Sequence, residues 1–236
     1  MIESHPIVSR QHWIEARKRL LAREKELTHL RDELSQVRRD LPWERVEKRY
    51  VFQTERGPQT LAELFGDKQQ LVIYHFMFAP DWEQGCKSCS FWADNFNGIT
   101  EHLAHRDVQL MAISRAPLPK LQAYARRLGW TFPWASSSET DFNFDYDVSF
   151  RPEDLAAGKT TYNYEPLEGT FEELPGISVF YKDPSGAVLH TYSCYARGIE
   201  LMNAAYSYLD LVPKGRDEAG LPMSMSWLRR RDEYER

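Results

Sequence analysis

The sequence predicts an α/β protein with a three-layer α/β/α arrangement around a central mixed sheet. Two nearly unbroken apolar runs, residues 71–78 and Val108–Ser114, are typical of strands covered on both faces. Helical patterns follow both runs, and this alternation predicts parallel β-α-β units. Residues 176–195 predict a β-hairpin with its turn at residues 183–186. A hairpin that joins a parallel core makes the predicted sheet mixed.

A long helix is predicted over residues 9–41, ahead of the α/β part. One row of apolar side chains repeats every seven positions: Trp13, Leu20, Leu27, Leu34 and Leu41. A second row, three positions after the first, is also mostly apolar: Ala16, Leu30 and Val37. Ser9 can cap the start, and Pro42 excludes its predecessor from helical geometry. Two interpretations stay open: a packing arm, or a coiled coil that forms a homodimer, with Arg23 interrupting one seam.

The other elements follow in order along the chain. After Pro42 the sequence predicts a strand, a turn at Gly57 and Pro58, and a short helix before the first apolar run. Helices are predicted over residues 89–105, over 116–130 with Gly129 as terminator, and over 198–210, and a short strand over 132–137.

Three parts are therefore expected: an N-terminal helical arm (1–42), a main domain (43–212) with an insertion (139–173), and a peripheral C-terminal tail (213–236). The insertion is rich in aromatic residues, which favours an ordered cover over a disordered linker. Whether it caps a hydrophobic substrate or covers the sheet stays open.

Composition and charge narrow the class of protein. The net charge of −5 argues against a nucleic-acid binder, which needs a basic face. No stretch approaches the roughly 18 to 20 apolar residues of a membrane helix, and residues 1–10 are too polar for a secretory signal. Three cysteines fit a reducing compartment better than a disulfide-stapled domain. We expect a cytoplasmic protein without nucleic-acid or membrane partners.

Cys86 and Cys89 lie three positions apart, directly after the first apolar run and at the start of a predicted helix. The helix dipole and the unpaired backbone N–H groups there stabilise a thiolate. Cys86 would then attack a substrate and Cys89 would resolve the product, while Lys87 adds positive charge and Ser88 donates a hydrogen bond.

Two other interpretations of the cysteine pair stay open. The pair supplies half of a metal site, which Cys194, His75, His102 or His190 would have to complete. Alternatively, the pair is degenerate packing in a scaffold or binding protein. His75 is either a proton acceptor under the cysteine loop or a core histidine, and Trp82 either contacts substrate or packs at the rim.

Residues 61–96, which include "FMFAPDWEQGCKSCSFWADNF", and residues 178–218 resemble the thioredoxin-like superfamily. More narrowly, they resemble an uncharacterised bacterial family related to the alkyl hydroperoxide reductase/thiol-specific antioxidant (peroxiredoxin) branch. The resemblance implies a thioredoxin-like fold and a thiol redox role, and with the cysteine pair it predicts a thiol–disulfide oxidoreductase. We expect no cofactor and, on this interpretation of the pair, no metal. Its partners would be a thiol or disulfide substrate and a reductase as electron donor. A thiol peroxidase is the alternative within the same enzyme class.

The residues around the cysteine pair differ from those of both thioredoxins and peroxiredoxins. Thioredoxins carry Trp before the first cysteine, where this chain has Gly85, and the hydroxyl that a peroxiredoxin places ahead of its cysteine is replaced by Gln84. Pro175 stands where these relatives have a turn near the cysteines. Arg197 lies close to the position of an arginine that polarises peroxide, although a plain salt bridge is the other interpretation.

Overall fold

The computed structural model describes residues 5–235, and the chain divides into two compact units, Met1–Pro42 and Trp43–Arg236. The first unit consists mainly of one helix, α1 (Arg10–Arg39), which is 30 residues long. The side-chain oxygen of Ser9 accepts the backbone N–H of His12 and caps the helix. None of the residues of α1 is buried.

The second unit carries all strands of the described chain and seven short α-helices. The strands are β1 (Glu44–Arg45), β2 (Val51–Thr54), β3 (Gly57–Thr60), β4 (Gln70–His75), β5 (Val108–Ser114), β6 (Trp134–Ser136), β7 (Thr161–Tyr162), β8 (Glu165–Pro166), β9 (Gly176–Lys182) and β10 (Val188–Tyr195). The helices are α2 (Leu61–Leu64), α3 (Lys87–Ala93), α4 (Thr100–Ala104), α5 (Leu118–Leu128), α6 (Phe142–Asp145), α7 (Pro152–Ala156) and α8 (Ala204–Leu209), with a 3-10 helix at Ala196–Met202.

Eight strands form one mixed sheet in the order β1-β10-β9-β4-β5-β6-β2-β3. Strands β4, β5 and β6 are parallel, whereas β9 joins β4 antiparallel and β10 joins β9 antiparallel. The cysteine helix α3 follows the central strand β4, and the β9–β10 hairpin closes the sheet beyond it. This is the thioredoxin-like α/β arrangement with a central mixed sheet that the sequence predicts, and the prediction of the fold class is confirmed.

The core consists of two clusters, one on each face of the sheet. Successive side chains of a strand point to opposite faces, so Ile73 and Tyr74 of β4 enter different clusters. The first cluster contains Tyr74, Cys89 and Trp92, and it joins the cysteine helix to the sheet. The second cluster contains Ile73, Phe52 and Phe142 on the opposite face.

Two predicted helices are interrupted in the structure. The helix predicted over residues 89–105 is divided into α3 and α4, and Gly98 between them has a φ of 84°. That left-handed backbone favours glycine and does not continue a right-handed helix. The helix predicted over 198–210 is divided at Asn203, whose side chain caps α8 by accepting the N–H of Tyr206.

The insertion over residues 139–173 is an ordered cover of the domain. Phe142 is fully buried, and its ring lies 4.9 Å from that of Phe52 in the second cluster. On the other side, the hydroxyl of Tyr162 donates to the carbonyl of Pro175 at 2.6 Å, just ahead of β9. The insertion thus contributes to the core and also fixes the turn that precedes the hairpin.

The tail from residue 213 onward packs against the main domain, whereas the sequence predicts a peripheral tail. Leu228 is fully buried, and Trp227 lies against Phe91 of α3 with 5.8 Å between ring centroids. The prediction of a peripheral tail is wrong for this part of the tail, because Met225 and Trp227 pack against the first cluster, which contains the cysteine helix.

Candidate redox site

Cys86 lies at the start of α3, at the end of the loop that follows β4. It is the N-cap residue of this helix, and its backbone N–H donates to the carbonyl of Met77 at 3.1 Å. The preceding residue must be small, because a Cβ on Gly85 would lie 2.7 Å from the ring of Phe76. The loop therefore fixes the first cysteine at the positive end of the helix.

The Cys86 thiol accepts hydrogen bonds that favour its ionised form. Its Sγ accepts the backbone N–H of Cys89 at 3.5 Å. The side chain of Cys89 makes the largest contribution, and the backbone N–H and hydroxyl of Ser88 add to it. Together they lower the pKa of Cys86 to about 6 against the opposing effect of burial. The residue is partly exposed, although it also packs against the first cluster.

Cys89 has the opposite character. It is buried, and both burial and the neighbouring Cys86 raise the pKa of its thiol. Two groups oppose this effect: the backbone N–H of Met77, which lies 3.4 Å from Cys89 Sγ, and the hydroxyl of Tyr74. Among residues 5–235, no acceptor or donor meets the geometry of a hydrogen bond to the buried Tyr74 hydroxyl. This hydroxyl still lowers the pKa of the nearby Cys89 thiol. Both cysteines are free thiols.

A polar cluster that sequence reasoning missed anchors the cysteine loop. The Ser90 hydroxyl donates to the carbonyl of Cys86 at 2.9 Å and lies 2.9 Å from the hydroxyl of Tyr124. The guanidinium of Arg230 donates to the Gly85 carbonyl at 2.8 Å and to the Tyr124 hydroxyl at 2.7 Å. No local pattern points to Arg230, because it lies 145 residues from Gly85 in a tail of polar composition.

Of the predicted supporting residues, Lys87, Ser88 and Trp82 lie around the cysteines. Lys87 Nζ donates to the carbonyl of Ser226 in the tail at 3.3 Å. Trp82 is half-buried against the first cluster, and its carbonyl accepts from Lys120 Nζ at 2.8 Å. Trp82 is therefore held at the rim of the cysteine loop.

His75 lies on the other face of the sheet from Cys89. Its ring stacks on Phe142 at 5.6 Å, and Nε2 lies 2.9 Å from the hydroxyl of Ser178. Burial lowers the pKa of His75 to about 3. The structure corrects the suggestion that His75 accepts a proton under the cysteine loop, because the two-residue period of β4 turns it away from Tyr74 and the thiols.

Arg197 and Pro175, the other two predicted supporting residues, make contacts of different kinds. The side chain of Arg197 is 85% exposed and pairs with Glu200 at 3.0 Å, which is the salt-bridge interpretation. Pro175 precedes β9, and its carbonyl accepts from Tyr162 of the insertion. Burial raises the pKa of Tyr162, and the nearby thiols of Cys89 and Cys194 add to this effect.

The remaining candidate ligands do not assemble around the cysteine pair. Cys194 is buried on β10 in the first cluster, the cluster that also contains Cys89. Within residues 5–235, no group of three or more His, Cys, Asp or Glu side chains is placed to hold a metal ion. A closed tetrahedral metal site needs about four such ligands.

The chain matches the family described as "Bacterial protein of unknown function (DUF899)" over residues 2–234. It belongs to this family. No curated protein matches the DUF899 chain in sequence. Within residues 5–235, no helix is both long enough and apolar enough to cross a lipid bilayer.

Several solved structures are similar to this DUF899 chain at low identity. Peroxidoxin BcpB from Mycobacterium tuberculosis is 15% identical, with a TM-score of 0.46 over 69% of this chain and 93% of the other. The bacterioferritin comigratory protein from Xanthomonas campestris is 13% identical, with a TM-score of 0.47 over 70% and 96%. A yeast mitochondrial 1-Cys peroxiredoxin is 18% identical, with a TM-score of 0.42 over 72% and 78%.

Proposed function

We propose that the protein is a thiol–disulfide oxidoreductase in which Cys86 is the nucleophile and Cys89 is the resolving thiol. One observation carries this proposal: Cys86 caps α3, is partly exposed and has a pKa lowered to about 6, while Cys89 beside it is buried. At that pKa, about nine-tenths of Cys86 is thiolate at pH 7. Thiolate, and not thiol, attacks a disulfide.

In the first step, the Cys86 thiolate attacks one sulfur of a substrate disulfide and expels the other sulfur as a thiolate. A mixed disulfide between Cys86 and the substrate results. Because this bond removes the negative charge from Cys86, it also removes one of the causes that raise the pKa of Cys89. The second thiol therefore becomes easier to ionise only after the first has reacted.

In the second step, Cys89 loses its proton to solvent, and its thiolate attacks Cys86 Sγ and breaks the bond between Cys86 and the substrate. The substrate sulfur leaves as a thiolate, takes up a proton from solvent, and a Cys86–Cys89 disulfide remains. The Met77 N–H and the Tyr74 hydroxyl favour the Cys89 thiolate that this step needs. A dithiol reductase then returns both cysteines to thiols by the same exchange chemistry. We expect this cycle to run in the cytoplasm, where such reductants keep thiols reduced.

A glutathione redox titration tests the proposal. The full chain is equilibrated over a series of reduced and oxidised glutathione, and the free thiols are alkylated and assigned to peptides. The expected result is one two-electron transition in which Cys86 and Cys89 disappear together while Cys194 stays reduced. Two cysteines that never pair, or an unchanged pattern in a Cys86→Ser variant, would refute the proposal.

The same protein, incubated with a hydroperoxide in place of oxidised glutathione, tests the thiol-peroxidase alternative. A peroxidase would oxidise Cys86 much faster with hydroperoxide than with a disulfide, through a sulfenic acid. A scaffold or binding protein would show no oxidation of the pair with either reagent, and its Cys86→Ser variant would keep all partner binding.

A further inference from the structure

We propose that α1 forms a parallel, two-stranded coiled coil with a second copy of this chain. The apolar side chains of α1, followed by Leu41 just beyond its end, form an exposed seam that is interrupted at Arg23. Its large apolar members are each between 41 and 60% exposed: Trp13, Leu20, Leu27, Leu30, Leu34, Val37 and Leu41. Scattered apolar residues are normal on a protein surface, but a contiguous seam is typical of an interaction site.

The spacing of this seam predicts the kind of partner. Taking Trp13 as an a position puts Trp13, Leu20, Leu27, Leu34 and Leu41 at a, and Ala16, Arg23, Leu30 and Val37 at d. A seven-residue repeat keeps its seam against a second helix that supercoils around it. At about 1.5 Å per residue, the part of this seam that lies inside α1, from Trp13 to Val37, is roughly 36 Å long. The partner is therefore another heptad helix.

The charges beside the seam identify that helix as a second copy. In a parallel pair, a residue at g faces the e position five residues further along the other chain. Arg19 would face Glu24, Glu26 would face Arg31, and Glu33 would face Arg38 of the second copy. All three pairs are opposite in charge, so the pattern is complementary to itself.

The same charges select the parallel orientation. In an antiparallel pair, the e positions of the two chains face each other, and so do the g positions. Three of the four e positions are arginine: Arg17, Arg31 and Arg38. The g positions from residue 26 onward are all acidic, namely Glu26, Glu33 and Asp40. An antiparallel pair would thus bring like charges together at several of these positions, and only Arg19 and Glu24 could meet opposite charges there. All three g–e pairs of the parallel dimer are attractive, so the charges favour the parallel orientation.

Arg23 interrupts the d seam but has a way to be accommodated. Its guanidinium pairs with the carboxylate of Glu26, which is the flanking g position of the same helix. A long arginine side chain can lay its apolar stem along the seam while its charge stays at the edge. We therefore expect Arg23 to weaken the dimer without preventing it, and Arg23→Leu to lower the dissociation constant.

Sedimentation equilibrium of the full chain under reducing conditions tests the proposal. We expect a concentration-dependent monomer–dimer equilibrium for the wild-type protein and a larger dissociation constant for Glu26→Lys and for Arg31→Glu. Each single change turns two symmetry-related attractions into repulsions, so the constant should rise about tenfold. The double variant restores both pairs between the chains but not the Arg23–Glu26 pair within each helix, so it should recover most of this tenfold loss. Lys25→Glu, on the outer face of the helix, is the matched control.

A mixture of the Glu26→Lys and Arg31→Glu proteins should form the mixed dimer in preference to either homodimer. A wild-type protein that stays monomeric at every accessible concentration would overturn the proposal. A dimer that survives Leu27→Asp, with the fold intact by circular dichroism, would also overturn it. A double variant no tighter than the two singles would refute the parallel orientation.

Discussion

Removing the Cys89 thiol should raise the pKa of Cys86. The side chain of Cys89 is the largest contributor to the lowered pKa of Cys86, and Cys89→Ala deletes it while keeping the backbone N–H. A hydrogen bond to a charged group contributes about 1.5–3 kcal/mol, and 1.36 kcal/mol corresponds to one pKa unit. The pKa of Cys86 should therefore rise by about 1 to 2, from about 6 to roughly 7–8.

The assay is the rate of iodoacetamide alkylation of Cys86 between pH 4.5 and 9.5, with thiolate absorbance at 240 nm as an independent readout. At pH 7, the thiolate fraction should fall from about nine-tenths to about half or less in Cys89→Ala. Cys89→Ser keeps a donor at this position, and a hydroxyl donates more strongly than a thiol, so the pKa of Cys86 in this variant should stay well below its value in Cys89→Ala.

Cys194→Ser is the control, because it changes a thiol on β10 and leaves both cysteines of the α3 site in place. In this variant, the pKa of Cys86 should remain about 6. If Cys86 also titrates near pH 6 in the Cys89→Ala variant, the interaction between the two thiols does not set the reactivity of Cys86. Equal shifts in Cys89→Ala and Cys89→Ser would likewise refute the role given to the donor.

Three further predictions concern the surroundings of the site. Arg230→Met removes a hydrogen-bond donor from the Gly85 carbonyl and should lower the free energy of unfolding by about 1–3 kcal/mol in urea melts. A loss of stability no larger than that of Arg229→Met would contradict the anchoring role of Arg230. Gly85→Ala forces a methyl group to 2.7 Å from the Phe76 ring and should cost about 1–3 kcal/mol in the same melts, so unchanged stability would show that the loop has room to shift. Burial raises the pKa of Glu173 to about 7, so its stabilising contribution is complete below pH 4.5 and is lost as the pH rises through 7. Relative to Glu173→Gln, the wild-type protein should lose up to about 3 kcal/mol between pH 4.5 and 8, and parallel pH profiles of the two would contradict this assignment.

The parts of the fold that depend on local patterns could be predicted from the sequence. The apolar run of β4, the helix start at Cys86 and the turn of the β9–β10 hairpin are each encoded within a few neighbouring residues. The strand–helix alternation around them predicts parallel pairing, and β4 and β5 do pair in parallel. Local sequence was enough for the existence of the cysteine helix and its place in the sheet, but not for its extent, because α3 ends at Ala93 and the predicted helix continues to residue 105.

The parts that depend on distant contacts could not be predicted. A run of apolar residues does not tell which face of the sheet each side chain meets. The sequence therefore leaves His75 and Tyr74 equally placed, whereas in the structure Tyr74 is the residue that lies beside Cys89. The polar composition of the tail predicts a peripheral segment, and nothing in the local sequence indicates that Leu228 is fully buried. Arg230 reaches the cysteine loop only through the folded path of that tail.

The pH dependence of Cys86 alkylation in the wild-type protein tests the redox assignment most directly. Peptide mapping identifies the labelled cysteine at each pH. We predict that Cys86 alone is labelled in the folded protein, with a half-maximal rate near pH 6 and a plateau above about pH 7. A rate that keeps rising through pH 8.5, or labelling of Cys86 only after unfolding, would contradict the account.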